Sequence, residues 1–225
     1  MIATVAILAA WIVGGYLVGA IPFGWLIGKM RGVDIRQLGS KNIGATNCGR
    51  VCGWPFGVAA FLLDVLKGFL PVLAAVAWLP REVAFAGEEQ RWLFTVLIAG
   101  SPILGHLLPV YLKFKGGKAV ATSLGVVLAL PMLRWVAVAA FVVWCLAVLA
   151  TGYVSVASTV AALAFAGAYL WLEWARAGNE YLAVTVLVFH ILGLVIIRHR
   201  ANYLRLIMGT ENGVLWRKKK AANHT

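Results

Sequence analysis

The sequence predicts an all-α fold: a polytopic integral membrane protein with about seven transmembrane helices, N-terminus out and C-terminus in. Three observations carry that prediction. Of 225 residues, 62% are apolar and 12% charged, where a soluble domain has about 45–50% and about 25%. The mean hydropathy is +0.89. The apolar residues gather into stretches of roughly twenty, the length that crosses a hydrocarbon core about 30 Å thick. A disordered chain, a collagen and a soluble globule are excluded. Seven such spans take about 140 residues. The rest suffices only for short loops and termini, so residues 1–225 read as a single membrane domain.

Taken in order, the stretches are roughly 4–28, 55–79, 92–110, 119–130, 133–150, 154–172 and 181–197. The first has no Lys or Arg ahead of it, lacks the charged start of a cleaved signal, and reads as a retained span. It carries Gly15, Gly19, Gly24 and Gly28, two small-xxx-small pairs that let a neighbouring helix come close. The second holds Asp64 and Lys67, three apart and able to pair on one helix face. Charges inside a membrane are costly, and a structural and a functional role fit this pair equally. The fourth stretch, about twelve residues before Pro131, is too short to cross upright and reads as short, tilted or re-entrant. Ten tryptophans suit interfacial belts.

Charge orients the spans. The chain has 20 Lys+Arg against 8 Asp+Glu. In a soluble protein that balance suggests nucleic acid; here it reads as positive-inside bias with anionic lipid heads as neighbours. Fifteen of the twenty basic residues fall in three alternate segments: Lys29, Arg31, Arg36, Lys41 and Arg50; Lys113, Lys115 and Lys118; and Arg198, Arg200, Arg205 and Arg217–Lys220. Arg81, Arg91, Arg134 and Arg176, with Glu82, Glu88, Glu89, Glu173 and Glu180, lie on the other side. The three basic segments are therefore placed in the cytoplasm. The tail WRKKK reads as a solvated basic end. Cys48, Cys52 and Cys145 are too few and too poorly spaced for a disulfide framework or a zinc site.

Three polar segments on that cytoplasmic face, 38–50, 105–122 and 196–212, hold more than a turn needs. The first, LGSKNIGATNCGR, packs Gly39, Ser40, Asn42, Gly44, Thr46, Asn47 and Arg50 into a dozen positions. Glycines let backbone N–H groups turn toward an anion, and Arg50 adds a forked cation suited to phosphate. A plain Gly/Asn-rich turn fits the same residues. The second, GHLLPVYLKFKGGKAVAT, places Gly116, Gly117 and Lys118 at the start of the short fourth helix, where backbone, helix N-terminus and ammonium converge. Ala119 follows the Lys, so this is no Walker loop, and a plain basic loop is the alternative. His106 there reads as a packing residue. The third, IIRHRANYLRLIMGTEN, carries Arg198, His199, Arg200, Asn202, Arg205 and Glu211. If the last helix continues, Arg198, Asn202 and Arg205 share one face, and His199 is able to act as acid or base. A juxtamembrane helix meeting lipid heads is the alternative.

GSKNIGATN with Arg50, LDVLKG, GHLLPVYLKFKGGKAVAT and RHRANYLRLIMGTEN, in that order, resemble the acyl-phosphate:glycerol-3-phosphate acyltransferases, bacterial membrane enzymes of phospholipid synthesis. The resemblance covers nearly the whole chain. It implies transfer of a fatty acyl group from acyl phosphate to the 1-hydroxyl of sn-glycerol 3-phosphate in the bacterial inner membrane. The products would be lysophosphatidic acid and phosphate, the first step of phospholipid biosynthesis, with no metal or cofactor. Neither acyl-CoA nor acyl carrier protein is implied as direct donor, and the H-x4-D motif of other glycerolipid acyltransferases is absent. By the resemblance Ser40, Asn42 and Arg50 belong to a phosphate pocket, Gly116, Gly117 and Lys118 to a glycine-rich motif, and His199, Asn202 and Glu211 to a third motif. Arg198, Arg200 and Arg205 are candidates for a second cationic site. The proton of the hydroxyl has two possible acceptors, His199 oriented by Asn202, or the donor's own phosphate. Two family glycines are replaced, by Lys41 in GSGN and by Ala119 in GGKG. Ala119 disturbs the motif only if that position needs a positive φ. The alternative class is a transporter or channel for anionic solutes, against which stand the lack of a clear repeat and the interfacial position of the motifs.

Overall fold

The structure, a computed structural model, describes residues 2–83, 85–175 and 182–214. Arg176, Glu180 and the WRKKK tail lie outside the described residues, as do the side chains of Arg81 and Glu82. The described residues form helices and no strand: α1 (Ile2–Ala20), α2 (Phe23–Met30), α3 (Ala45–Cys52), α4 (Trp54–Glu82), α5 (Glu88–Leu107), α6 (Val120–Ala129), α7 (Arg134–Thr151), α8 (Val154–Ala175) and α9 (Leu182–Ile207), with a 3-10 turn at Val110–Leu112. Six stretches are long and apolar enough to cross a membrane: Ala3–Met30, which joins α1 and α2, then α4, α5, α7, α8 and α9. The ten residues of α6 rise only about 15 Å.

Prolines and small polar groups explain the local breaks. Pro22 has no N–H to donate, and the first span breaks there into α1 and α2. The carbonyl of Ile21, between the two helices, accepts from Phe23 N–H at 3.2 Å and from Lys67 Nζ at 2.7 Å. Lys67 also pairs with Asp64 at 2.7 Å, both side chains being nearly inaccessible. The intramembrane pair thus fastens the kink of the first span to α4. Pro102 inside α5 likewise cannot bond the carbonyl of Ile98, and Ser101 Oγ takes that acceptor at 2.7 Å.

The small-residue pairs divide between two partners. Gly15 and Gly19 press against Ser101 and Pro102 of α5, where a Cβ on Gly15 would meet the Ser101 hydroxyl and one on Gly19 would overlap the backbone of Pro102. Gly24 and Gly28 face Ile43 and Ile35, so the second pair seats the segment 33–44 rather than another span. Lipid-facing positions stay apolar, as at Leu62, Leu66 and Leu70. The main core lies between α4, α5, α6, α7, α8 and α9. Trp78, Trp135, Trp171 and Trp174 are exposed at one end of their helices, the belt expected at an interface. The other end gathers α3, the turn after α5, the α7–α8 turn and the C-terminus of α9; Val214 N–H donates to Gly152 O there at 2.9 Å.

One boundary matters for the site. The last helix runs to Ile207, ten residues past the apolar stretch that marks it in the sequence. Arg198–Arg205 are therefore helical, because intrahelical bonds persist after the apolar run has left the hydrocarbon.

Candidate active site

Residues of all three polar segments line a single cleft of about 190 Å3. Its polar end carries Ser40, Asn42, Gly44, Thr46, Asn47, Arg50, Lys118, His199, Asn202 and Glu211, and Asp64 and His106 also line it. Its apolar end runs between α4, α6, α7, α8 and α9, and one wall is a stack of rings, Phe61 on Phe141 and Phe141 on Trp144, with centroids 6.0 Å apart in each pair.

The first segment is built around Asn47, 2% exposed. Its Nδ2 donates to the carbonyls of Ile35, Leu38 and Asn42 at 2.8, 3.2 and 2.9 Å, and its Oδ1 accepts from Ser40 N–H at 2.8 Å. Asn42 Oδ1 accepts from Gly44 N–H at 2.8 Å. Gly39 adopts φ 60 directly beneath Asn47 Oδ1, where a Cβ would collide. The segment is thus not an open nest, because its turned N–H groups are spent on its own side chains. Instead it aims the N-terminus of α3 at the cleft: Gly44, Ala45 and Thr46 line it, and no side chain caps the helix. Arg50, in the last turn of α3, donates to Asn212 O at 2.7 Å, while its buried Nε has no hydrogen-bond partner. Burial works against the charge of Arg50, Glu211 works for it and Arg205 against.

The second segment places a second helix start in the same wall. Ala119, Val120 and Ala121 line the cleft, and α6 has no side-chain cap. Gly116 and Gly117 do not line it. They let the chain pass over the end of α5, where a Cβ on Gly116 would meet the carbonyls of His106 and Leu107, and one on Gly117 the His106 ring. Gly117 N–H donates to His106 O at 3.1 Å, and Thr122 Oγ1 lies 3.2 Å from His106 Nδ1; the ring, expected only to pack, also lines the cleft, with Asp64 Oδ1 3.8 Å from its Nδ1. Lys41 and Ala119, the two replacements of family glycines, both sit at φ 59. Both positions thus take positive φ in this chain with a side chain present.

The third segment forms a relay. Glu211 accepts from Asn202 Nδ2 at 2.6 Å, from Arg205 Nε at 2.9 Å and from Ser155 Oγ at 3.4 Å. That fixes the Asn202 amide so that its Oδ1 accepts from Lys118 Nζ at 2.5 Å. Burial pulls Lys118 down to about 8; Glu211 opposes this, and Arg205, Arg50 and Arg198 add to it. His199, 2% exposed, has Nδ1 2.8 Å from Val195 O. A carbonyl only accepts, so Nδ1 carries the proton and Nε2 keeps its lone pair.

Arg198, Arg200 and Arg205 do not line the cleft. Arg198 donates to Gly117 O at 2.6 Å and holds the glycine-rich turn onto α9. Arg205 is committed to Glu211, and Arg200 is exposed. The shared face of Arg198, Asn202 and Arg205 is real, but its arginines brace the site from outside. Sequence reasoning missed Ser155 and Ser158, which line the cleft; two serines three apart in the apolar stretch of α8 were the available signal. It also missed the uncapped start of α3, for which there was none, because the approach of α3 to α6 is a tertiary fact.

A crystal structure of PlsY (YgiH), an integral membrane glycerol 3-phosphate acyltransferase in its glycerol 3-phosphate form, superposes with a TM-score of 0.78 at 38% identity, covering 92% of this chain and 94% of that one. The glycerol-3-phosphate acyltransferase of Desulfotalea psychrophila is 45% identical over 205 residues, 91% of this chain and 95% of the relative. That of Maridesulfovibrio salexigens is 42% identical over 214 residues, 93% and 97%. The family model for glycerol-3-phosphate acyltransferase matches residues 9–209. With that span matched and these relatives covered almost end to end, the chain belongs to the glycerol-3-phosphate acyltransferase family.

Proposed function

We propose that the cleft transfers a fatty acyl group from acyl phosphate to the 1-hydroxyl of glycerol 3-phosphate, giving lysophosphatidic acid and inorganic phosphate. The chain then lies in the bacterial inner membrane as one domain of seven passages, N-terminus out, with the cleft open to the cytoplasm. α6 makes the short passage: Arg134 Nε, at the start of α7, donates to Leu128 O near its end at 3.0 Å. The observation that carries the reading is the junction of a cationic end with an apolar groove in one cleft. Names of relatives support it: the matched crystal forms are of glycerol 3-phosphate and of lysophosphatidic acid.

The chemistry follows from the polar end. The acceptor's hydroxyl oxygen attacks the acyl carbonyl carbon, the bond from that carbon to the phosphate oxygen breaks, and phosphate leaves with the electron pair. Developing negative charge needs preorganised positive poles. Arg50, Lys118 and the uncapped starts of α3 and α6 provide them. They take the role that Arg198, Arg200 and Arg205 do not fill. Ser40, whose hydroxyl is uncommitted among the described residues, donates to a phosphate oxygen. Asn202, held by Glu211, keeps Lys118 aimed. The acyl chain lies in the groove behind Phe141.

The proton of the 1-hydroxyl passes to the departing phosphate, and His199 Nε2 accepts a hydrogen bond from the acceptor's other hydroxyl, which orients it. His199→Gln should therefore raise KM for the acceptor with kcat within about tenfold; a fall in kcat of about 10²–10⁴ would make His199 the base. The activity itself is tested with purified protein, palmitoyl phosphate and glycerol 3-phosphate. Phosphate release should require both, and palmitoyl-CoA should not replace the donor. Uptake of anionic solute into proteoliposomes without acylated product would reverse the reading in favour of transport.

A further inference from the structure

The groove ends where four helices close on one another. Its deepest wall is formed by Phe165 of α8, Ile191 of α9, Ala137 of α7 and Val127 of α6. One turn deeper, continuous core begins: Tyr169, Val188 and Leu133 are 3%, 0% and 0% exposed. The Tyr169 hydroxyl and Thr185 Oγ1 lie 2.7 Å apart and tie α8 to α9 just below that floor. Above it the wall on α8 is small, with Ala162 one turn from Phe165. Phe165 is the bulkiest side chain at the boundary between open groove and filled core.

Depth follows from helix geometry. Ser155, beside the Glu211 carboxylate, and Phe165 are ten residues apart on α8, about 15 Å. An extended carbon chain with bonds of about 1.5 Å advances about 1.25 Å per carbon. The walled length therefore houses about twelve carbons.

We propose that Phe165 is the stop that sets acyl-chain preference, an inference that rests on the acyl-transfer reading above. A chain of about that length lies wholly inside. A longer one has to bend or leave its tail outside the groove. A donor dissolved in the bilayer already has its chain in apolar surroundings, so entering the groove gains little hydrophobic free energy. Selection is steric, and a steric stop responds to one side chain.

The test is competition between lauroyl and palmitoyl phosphate at equal mole fraction in one detergent, with glycerol 3-phosphate as acceptor and the product ratio read by mass spectrometry. Phe165→Ala should raise the palmitoyl-to-lauroyl ratio several-fold over wild type, and Ala162→Phe should lower it. Phe165→Leu, the milder change, should fall between Phe165→Ala and wild type, which keeps the proposal testable if Ala162→Phe does not fold. Unchanged ratios in variants that still form product overturn the stop and leave acyl transfer standing. Failure of wild type to acylate with either donor overturns both.

Discussion

Two lysines are drawn away from water in this protein, Lys67 wholly and Lys118 in part, and they are treated in opposite ways. Lys67 lies in a closed shell: a carboxylate at 2.7 Å, the Ile21 carbonyl at 2.7 Å, and the face of Phe23 at 5.7 Å. Among the described residues Lys118 has one hydrogen bond, to a neutral amide oxygen at 2.5 Å, and its other neighbours in charge are three arginines and Glu211. Buried charge is stable only when compensated. The complete shell of Lys67 makes a structural staple. The shell of Lys118 is incomplete and faces the cleft, and in the proposed reaction a substrate phosphate completes it.

Substitution is the strongest way to break this comparison. Lys118→Met should lower kcat/KM by about 10²–10³, the cost of losing one preorganised charge-stabilising donor, while leaving thermal unfolding in detergent near wild type. Lys67→Met should do the reverse, because removing one partner of a buried pair strands the other and costs about 3–5 kcal/mol. Thermal unfolding and steady-state rates on both variants decide it. Similar profiles for the two would end the distinction.

A gentler test uses pH. Burial holds Lys118 near 8, so its cation is complete below that value and is lost as pH rises through it. Bound phosphate favours the cation, so KM for phosphorylated substrate should climb above pH 8, by up to about tenfold per unit. Lys118→Arg, which stays charged throughout, should lack that inflection.

The smallest effect concerns the backbone that holds the site. Lys41 and Ala119 adopt φ 59, a region that costs a side-chain-bearing residue about 1–2 kcal/mol. Lys41→Gly and Ala119→Gly should each stabilise the protein by about 1 kcal/mol, read as a rise in unfolding temperature in detergent. A fall would mean that the side chains compensate for the strain.

The same positions show how much of the protein was legible in its residues. The sequence held the membrane class, the long spans, the three polar segments and, in Ser40, Arg50, Lys118, His199 and Asn202, residues that come to line one cleft. Each depends on local content: apolar length against bilayer thickness, charge against its sign, donors against a motif. It also held the Asp64–Lys67 pair, since three residues along a helix is a local distance.

Tertiary structure decided the rest. Gly116 and Gly117, read as flexible backbone around a phosphate, became spacers, because what a glycine avoids depends on what packs over it, and Gly117 lies under the His106 ring. Arginines read as a second phosphate site became braces, because Arg198 and Arg205 found a carbonyl and a carboxylate nearer than the cleft. The N-terminus of α3 became a pole of the site only by its placement opposite α6. Composition dictates which groups must be satisfied; only the packing of distant segments decides which of them find a partner inside the protein and which are left facing the cleft.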